Sequence, residues 1–218
     1  MVIASRDETM TIEGPAGPLE VAVHQPRGRG LLSDSGGCAV VCHPHPQHGG
    51  TMDNKVVTTL VRAYGELGLP AVRFNFRGVG ASAGHYDDGR GEVDDLVAVA
   101  NWFRGYCGAG RLLLAGFSFG SSVAGNGVFR LDGVDHLTLV APPVGRYGFA
   151  EGNRFPCPAC VVMGERDELV EPDEVYRWTD GLQSPVRLLR LPEASHFFHG
   201  QLVGMRRQLV ALIGEQLR

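Results

Sequence analysis

Two hydrophobic patterns run along the chain. Near its start Leu19, Val21 and Val23 alternate with other positions, the period-two signature of a strand with one covered face. Residues 9–13 and 19–24 flank the turn Gly14-Pro15-Ala16-Gly17-Pro18 and predict an antiparallel hairpin. From Cys38 onward the alternation gives way to short, largely apolar runs at 38–42, 71–76, 112–115, 137–140, 160–163 and 186–191. Strands without polar alternation are covered on both faces, as in a parallel sheet packed between two helix layers. Segments of helical character separate them, at 54–67, 93–106, 121–129, 173–182 and 201–217. In the last of these Leu202, Met205, Leu209, Ile213 and Leu217 form one stripe for packing on the sheet. The alternation of strand and helix, without repeat, low-complexity tract or linker, predicts one α/β domain over residues 1–218.

Charge and composition narrow the partners. The chain has 218 residues, with 20 Lys+Arg against 24 Asp+Glu and a net charge of −4. Binding a row of phosphates calls for a basic surplus, so nucleic acid is not an expected partner. A content of 44% hydrophobic and 20% charged residues excludes disorder and coiled coil. The 31 glycines, about double the roughly 7% of an average protein, often follow apolar runs and predict tight strand-to-helix turns. Five cysteines, with Cys38 and Cys42 inside or beside a core run, predict buried thiols and no disulfide framework. Residues 1–15 carry Arg6, Asp7 and Glu8 and lack a signal-like apolar stretch. No run of about 18 apolar residues occurs, and the expectation is a cytoplasmic chain with no membrane partner.

The candidate chemistry sits after the run at 112–115, where Gly116-Phe117-Ser118-Phe119-Gly120 leads into a segment rich in small residues. Strand, G-x-S-x-G and helix in that order are the setting of a nucleophile elbow, which holds a serine on a sharp, strained turn. Among 31 glycines the pentapeptide alone is weak evidence, but its context strengthens it. A serine hydroxyl needs a base to take its proton, and the base needs a carboxylate to fix its tautomer. Asp167, just past the run at 160–163, supplies the acid, and His196, in the loop after 186–191, supplies the base. The order Ser, acid, His is the one this elbow uses. Glu165, Glu168, Glu171 and Asp173 compete with Asp167, which lies three residues before Val170; His199 competes with His196.

With these residues the sequence resembles the α/β-hydrolase superfamily, and more narrowly its small cap-less bacterial serine hydrolases. The resemblance spans roughly residues 8–217. It is carried by His43-Pro-His-Pro-Gln-His-Gly-Gly-Thr-Met-Asp-Asn-Lys55, Phe74-Asn-Phe-Arg-Gly-Val-Gly-Ala-Ser-Ala-Gly84, the serine pentapeptide, Asp167-Glu-Leu-Val-Glu-Pro172 and Ser195-His-Phe-Phe-His199. It implies an α/β-hydrolase fold: a mostly parallel sheet flanked by helices, without a cap domain. It also implies an oxyanion hole built from the N–H after the serine, Phe119, and one from the loop after the first central strand. Pro44 and Pro46 cannot donate, which leaves His45 as the best second donor. The turn Arg77-Gly-Val-Gly-Ala-Ser82 recurs in the superfamily as a border of the pocket.

Two rival readings of these segments carry less. His43, His45 and His48 have the look of a metal site, but no carboxylate on the preceding strand joins them; no metal and no cofactor is expected, and His43 reads as a packed histidine bonded to backbone. Cys157-Pro-Ala-Cys160 enters a strand, so the helix N-terminus that activates a redox thiol is missing.

The expected function is a serine hydrolase acting on a small-molecule ester or thioester through an acyl-enzyme. An amidase or peptidase of the same fold, and a binding protein that has lost turnover, stay open as alternatives. Residues 142–156 are too few for a helical cap. An open groove is expected, bordered by Pro142, Pro143, Tyr147 and Phe149, with Met52 opposite.

Overall fold

The computed structural model describes residues 7–149 and 154–217. The hairpin leads the chain: β1 (Glu8–Gly14) pairs antiparallel with β2 (Gly17–His24), leaving Pro15 and Ala16 as the two-residue turn. Then come β3 (Gly37–Cys42), α1 (Lys55–Leu67), β4 (Ala71–Phe74), α2 (Arg90–Cys107), β5 (Arg111–Phe117) and α3 (Phe119–Gly127). The chain continues through β6 (Val134–Val140), β7 (Ala159–Gly164), α4 (Pro172–Asp180), β8 (Val186–Leu191) and α5 (Leu202–Gln216). The eight strands form one sheet in the order β1-β2-β4-β3-β5-β6-β7-β8. Every pair from β4 to β8 is parallel, and β2 joins β4 antiparallel.

Every residue of β3, β4 and β7 is buried, as the unbroken apolar runs require of strands covered on both faces. α1 and α5 pack together on one face, and α2 packs with α3 on the other. β8 departs from the expectation. As an edge strand it exposes Arg187 and Arg190, and the Arg190 guanidinium lies 3.8 Å from the centre of the Tyr176 ring of α4. Two helices begin earlier than their apolar periodicity predicts. α2 starts at Arg90 because the Glu92 carboxylate accepts from the N–H groups of Gly89 and Asp87, and α3 starts at Phe119, directly from the turn.

A line of hydrogen bonds crosses the core. Tyr64 Oη donates to Thr138 Oγ1 (3.1 Å), which lies 3.4 Å from His136 Nδ1. His136 Nε2 meets Gln216 Oε1 (3.1 Å), and Gln216 Nε2 donates to the Ala159 carbonyl (3.1 Å). It ties α1, β6, β7 and α5 together and satisfies polar groups that would be costly to bury alone.

No cap domain is present. The described parts of the β6–β7 connection, 141–149 and 154–158, contain no helix; residues 150–153, together with 1–6 and 218, lie outside the described residues. Among the described residues no helix is long and apolar enough to cross a membrane.

Candidate active site

The C-terminal ends of β3, β5, β7 and β8 bring the candidate residues together. Ser118 follows β5 directly and has φ 53° and ψ −121°, a conformation that costs a non-glycine residue about 1–3 kcal/mol. Its N–H donates to Val140 O of β6 (2.8 Å), which anchors the strained turn. The flanking glycines have steric reasons to be there. A Cβ on Gly116 would collide with the carbonyl of Gly120, and one on Gly120 with the carbonyls of Cys42 and His43 at the end of β3. The G-x-S-x-G spacing therefore lets the helix start press against two strand ends.

The loops after β7 and β8 are fastened to each other before they deliver their side chains. Glu165 N–H donates to Leu191 O and Arg166 N–H to Ala194 O, both at 3.0 Å. A side chain on Gly164 would strike the Ala194 carbonyl. Asp167 Oδ1 accepts from the N–H groups of Leu169 (2.9 Å) and Val170 (2.8 Å), which turns Oδ2 toward His196. His196 Nδ1–H donates to Asp167 Oδ2 (2.8 Å), and His196 Nε2 lies 3.1 Å from Ser118 Oγ. With its proton on Nδ1 the ring presents Nε2 as the acceptor for the serine hydroxyl. The Asp167 side chain has no solvent exposure and that of His196 only 3%. The hydroxyl, ring and carboxylate thus form one continuous hydrogen-bonded chain. His199, by contrast, is exposed, with its ring centre 5.9 Å from that of Phe197.

Glu168, a competitor of Asp167 in the sequence, has a different part: its Oε2 accepts the His196 N–H (3.1 Å) and so holds the loop carrying the ring. Its place beside Asp167 was the available signal.

Beside Ser118, His45 begins a short 3-10 turn at Pro46–His48, and its carbonyl accepts from His48 N–H (3.1 Å) and Gly50 N–H (3.0 Å). No described residue accepts a hydrogen bond from the His45 N–H, or from the Phe119 N–H at the first position of α3. Both residues border the same groove as Ser118 and His196. The His45 ring packs at a tilt against both Phe119 and Tyr86, with ring centres 4.9 Å apart in each pair. Burial, with His48 alongside, lowers the pKa of His45 and favours its neutral form.

The three-histidine metal reading does not fit this geometry. His43 is fully buried, its Nδ1 bonds to Pro44 O (2.6 Å), and its Nε2 accepts from Phe76 N–H (3.1 Å), so neither nitrogen is left to bind an ion. Burial holds its pKa down to about 4. Among the described residues no group of His, Cys, Asp and Glu side chains is placed to hold a metal. Cys157 and Cys160 are buried free thiols, each pushed up to about 12 by burial.

The groove at Ser118 has a volume of about 190 Å³. Pro143 and Tyr147 line it as expected, whereas Met52, Pro142 and Phe149 do not. Met52 is turned into the protein, where its N–H donates to Asn75 Oδ1 (2.8 Å) and its carbonyl accepts from Arg73 Nε (3.2 Å). Pro142 is buried. Phe149 packs against Gly125 and, at 5.1 Å, the Trp178 ring. Arg146, Leu169, Val170 and Phe197 complete the walls instead. The turn at 77–82 is also absent from the lining, because Arg77 is drawn to the buried Asp95 of α2, to which its N–H and guanidinium both donate. A larger cavity of about 670 Å³, between His24, Arg62 and Arg206, lies apart from Ser118.

The chain as a whole has counterparts among known proteins. No protein-family model matches the chain. An α/β serine hydrolase homologue from Coxiella burnetii is 44% identical, with a TM-score of 0.89 over 96% of this chain and 98% of that one. An α/β serine hydrolase without a lid from Xanthomonas campestris is 42% identical, with a TM-score of 0.90 over 100% of this chain and 98% of that one. An uncharacterised protein of Rickettsia prowazekii is 34% identical over 169 residues, which cover 73% of this chain and 71% of its own.

Proposed function

The chain belongs to the α/β serine hydrolases that lack a lid, and from that membership we propose that it cleaves small carboxylic esters or thioesters through an acyl-enzyme. The observation that carries the reading is the unbroken chain from Ser118 Oγ through His196 to Asp167, starting on a serine held at φ 53°. Ser118 Oγ attacks the carbonyl carbon as its proton passes to His196 Nε2. Asp167 Oδ2 stabilises the imidazolium that results, while its two backbone amide partners keep it from turning away. The carbonyl oxygen becomes an oxyanion and accepts from the N–H groups of Phe119 and His45, which need no reorganisation as charge develops. Collapse of the tetrahedral intermediate breaks the bond to the leaving oxygen or sulfur, which takes the proton from His196 Nε2. Water then attacks the acyl-enzyme with His196 again as base, releasing the acid and restoring Ser118.

The groove restricts the acyl group. Its volume of about 190 Å³ falls below the roughly 300–1,000 Å³ of ordinary small-molecule pockets, so a short chain fills it and further methylenes stay in water. Each unburied methylene forgoes about 0.8 kcal/mol of binding. Rates on p-nitrophenyl esters are therefore expected to peak at short acyl groups and to vanish in Ser118→Ala. A clear optimum at long chains, or full turnover in that variant, would overturn the proposal.

A further inference from the structure

The groove is charged on one side only. Among the described residues its lining contains neither Asp nor Glu, and Arg146 is the sole arginine or lysine. Two carboxylates beside the groove are committed: that of Asp167 is fully buried among His196 Nδ1–H and two backbone amides, and that of Glu168 holds the His196 N–H. Arg146 is set in place by its own loop. Its N–H and that of Tyr147 both donate to Pro143 O (3.0 and 3.1 Å), and its Nη2 donates across the groove to Leu169 O (3.1 Å). That single bond leaves most of the five guanidinium N–H donors without a partner among the described residues, and no carboxylate there pairs with it. A fixed cation with spare donors, facing a groove with no carboxylate among its described lining, recognises a carboxylate.

We infer that Arg146 is a specificity-determining residue and that the preferred substrates are short esters bearing a free carboxylate, which the Arg146 guanidinium receives while the ester carbonyl lies at Ser118. The inference rests on the hydrolytic reading of Ser118 given above. The carboxylate can sit on either side of the scissile bond, so the test uses both kinds of ester. Monoethyl succinate and monoethyl glutarate carry it on the acyl side, and 3-acetoxypropionate on the alcohol side. Ethyl butyrate is the neutral reference.

For at least one of the anionic esters kcat/KM should exceed that of ethyl butyrate by about tenfold or more, the yield of a charge-assisted hydrogen bond. The advantage should lie in KM and shrink as NaCl is raised. In Arg146→Gln the anionic-to-neutral ratio should fall to about one, and in Arg146→Glu it should invert. A purely structural clasp to Leu169 would lower both esters together and leave the ratio intact, which would overturn the inference. So would an enzyme that cleaves ethyl butyrate at least as well as every anionic ester. If the native protein cleaves none of them, the hydrolytic reading itself fails, and this inference with it.

Discussion

Acid should weaken this protein through two buried histidines before its carboxylates begin to titrate. His43 and His136 are both fully buried, and burial holds each at a pKa of about 4 against an ordinary 6.5. His43 needs an unprotonated Nε2 to accept the Phe76 N–H, and His136 sits within the line of bonds between Tyr64 and Gln216. Below pH 6.5 the unfolded chain takes up protons at both positions while the folded chain does not, so stability present at neutral pH is lost as pH falls toward 4. Each histidine removes about 1.4 kcal/mol per pH unit. Over the whole window the pair removes about 7 kcal/mol, comparable to the total of about 5–15 kcal/mol that holds a typical fold. Urea unfolding at half-unit steps between pH 7 and pH 5 measures the slope before the carboxylates contribute. Stability should fall by about 2–3 kcal/mol per unit in the lower half of that range, and in His136→Asn the slope should halve even though the starting stability is lower. A stability flat across the range, or a slope unchanged in the variant, would refute the reasoning.

Three further outcomes follow from specific contacts. Asp95 is fully buried against an Arg77 that is 11% exposed, so Asp95→Ala strands a nearly buried guanidinium and should cost about 3–5 kcal/mol, read as a fall in thermal midpoint. Gly120→Ala places a Cβ 2.6 Å from the Cys42 carbonyl; it should abolish ester turnover or folding, and wild-type activity would contradict the elbow packing. His196→Ala should lower turnover of a model ester by several orders of magnitude and Asp167→Asn by about 10⁴-fold, whereas a greater loss in His199→Ala would reassign the base.

The strands that carry the site were legible because burial on both faces writes itself as uninterrupted apolar runs: β3, β5, β6 and β7 all lie on such runs. Ser118 and Asp167 could be named as candidates because each closely follows one of those runs, and His196 because it lies in the loop after the last strand, β8. Local chemistry hid the rest. The first turn of α2 is built by Glu92 reaching back to a glycine, which leaves no apolar periodicity to read. The groove walls were misjudged for a related reason. Position along the chain put Met52, Pro142 and Phe149 near Ser118, but a wall depends on side-chain direction, and all three turn away. Glu168 entered only as a rival acid and Arg146 carried no signal, because the backbone groups they engage, His196 N–H and Leu169 O, come from other loops.

The central claim is that the Ser118 hydroxyl is a nucleophile activated by His196. Covalent labelling of the folded protein with a fluorophosphonate, read by intact mass and peptide mapping, tests it most directly, because it needs no knowledge of the natural substrate. The account predicts one label per chain, on Ser118, absent in Ser118→Ala and formed far more slowly in His196→Ala. Folded protein that takes no label, or a label that persists in Ser118→Ala, would contradict it.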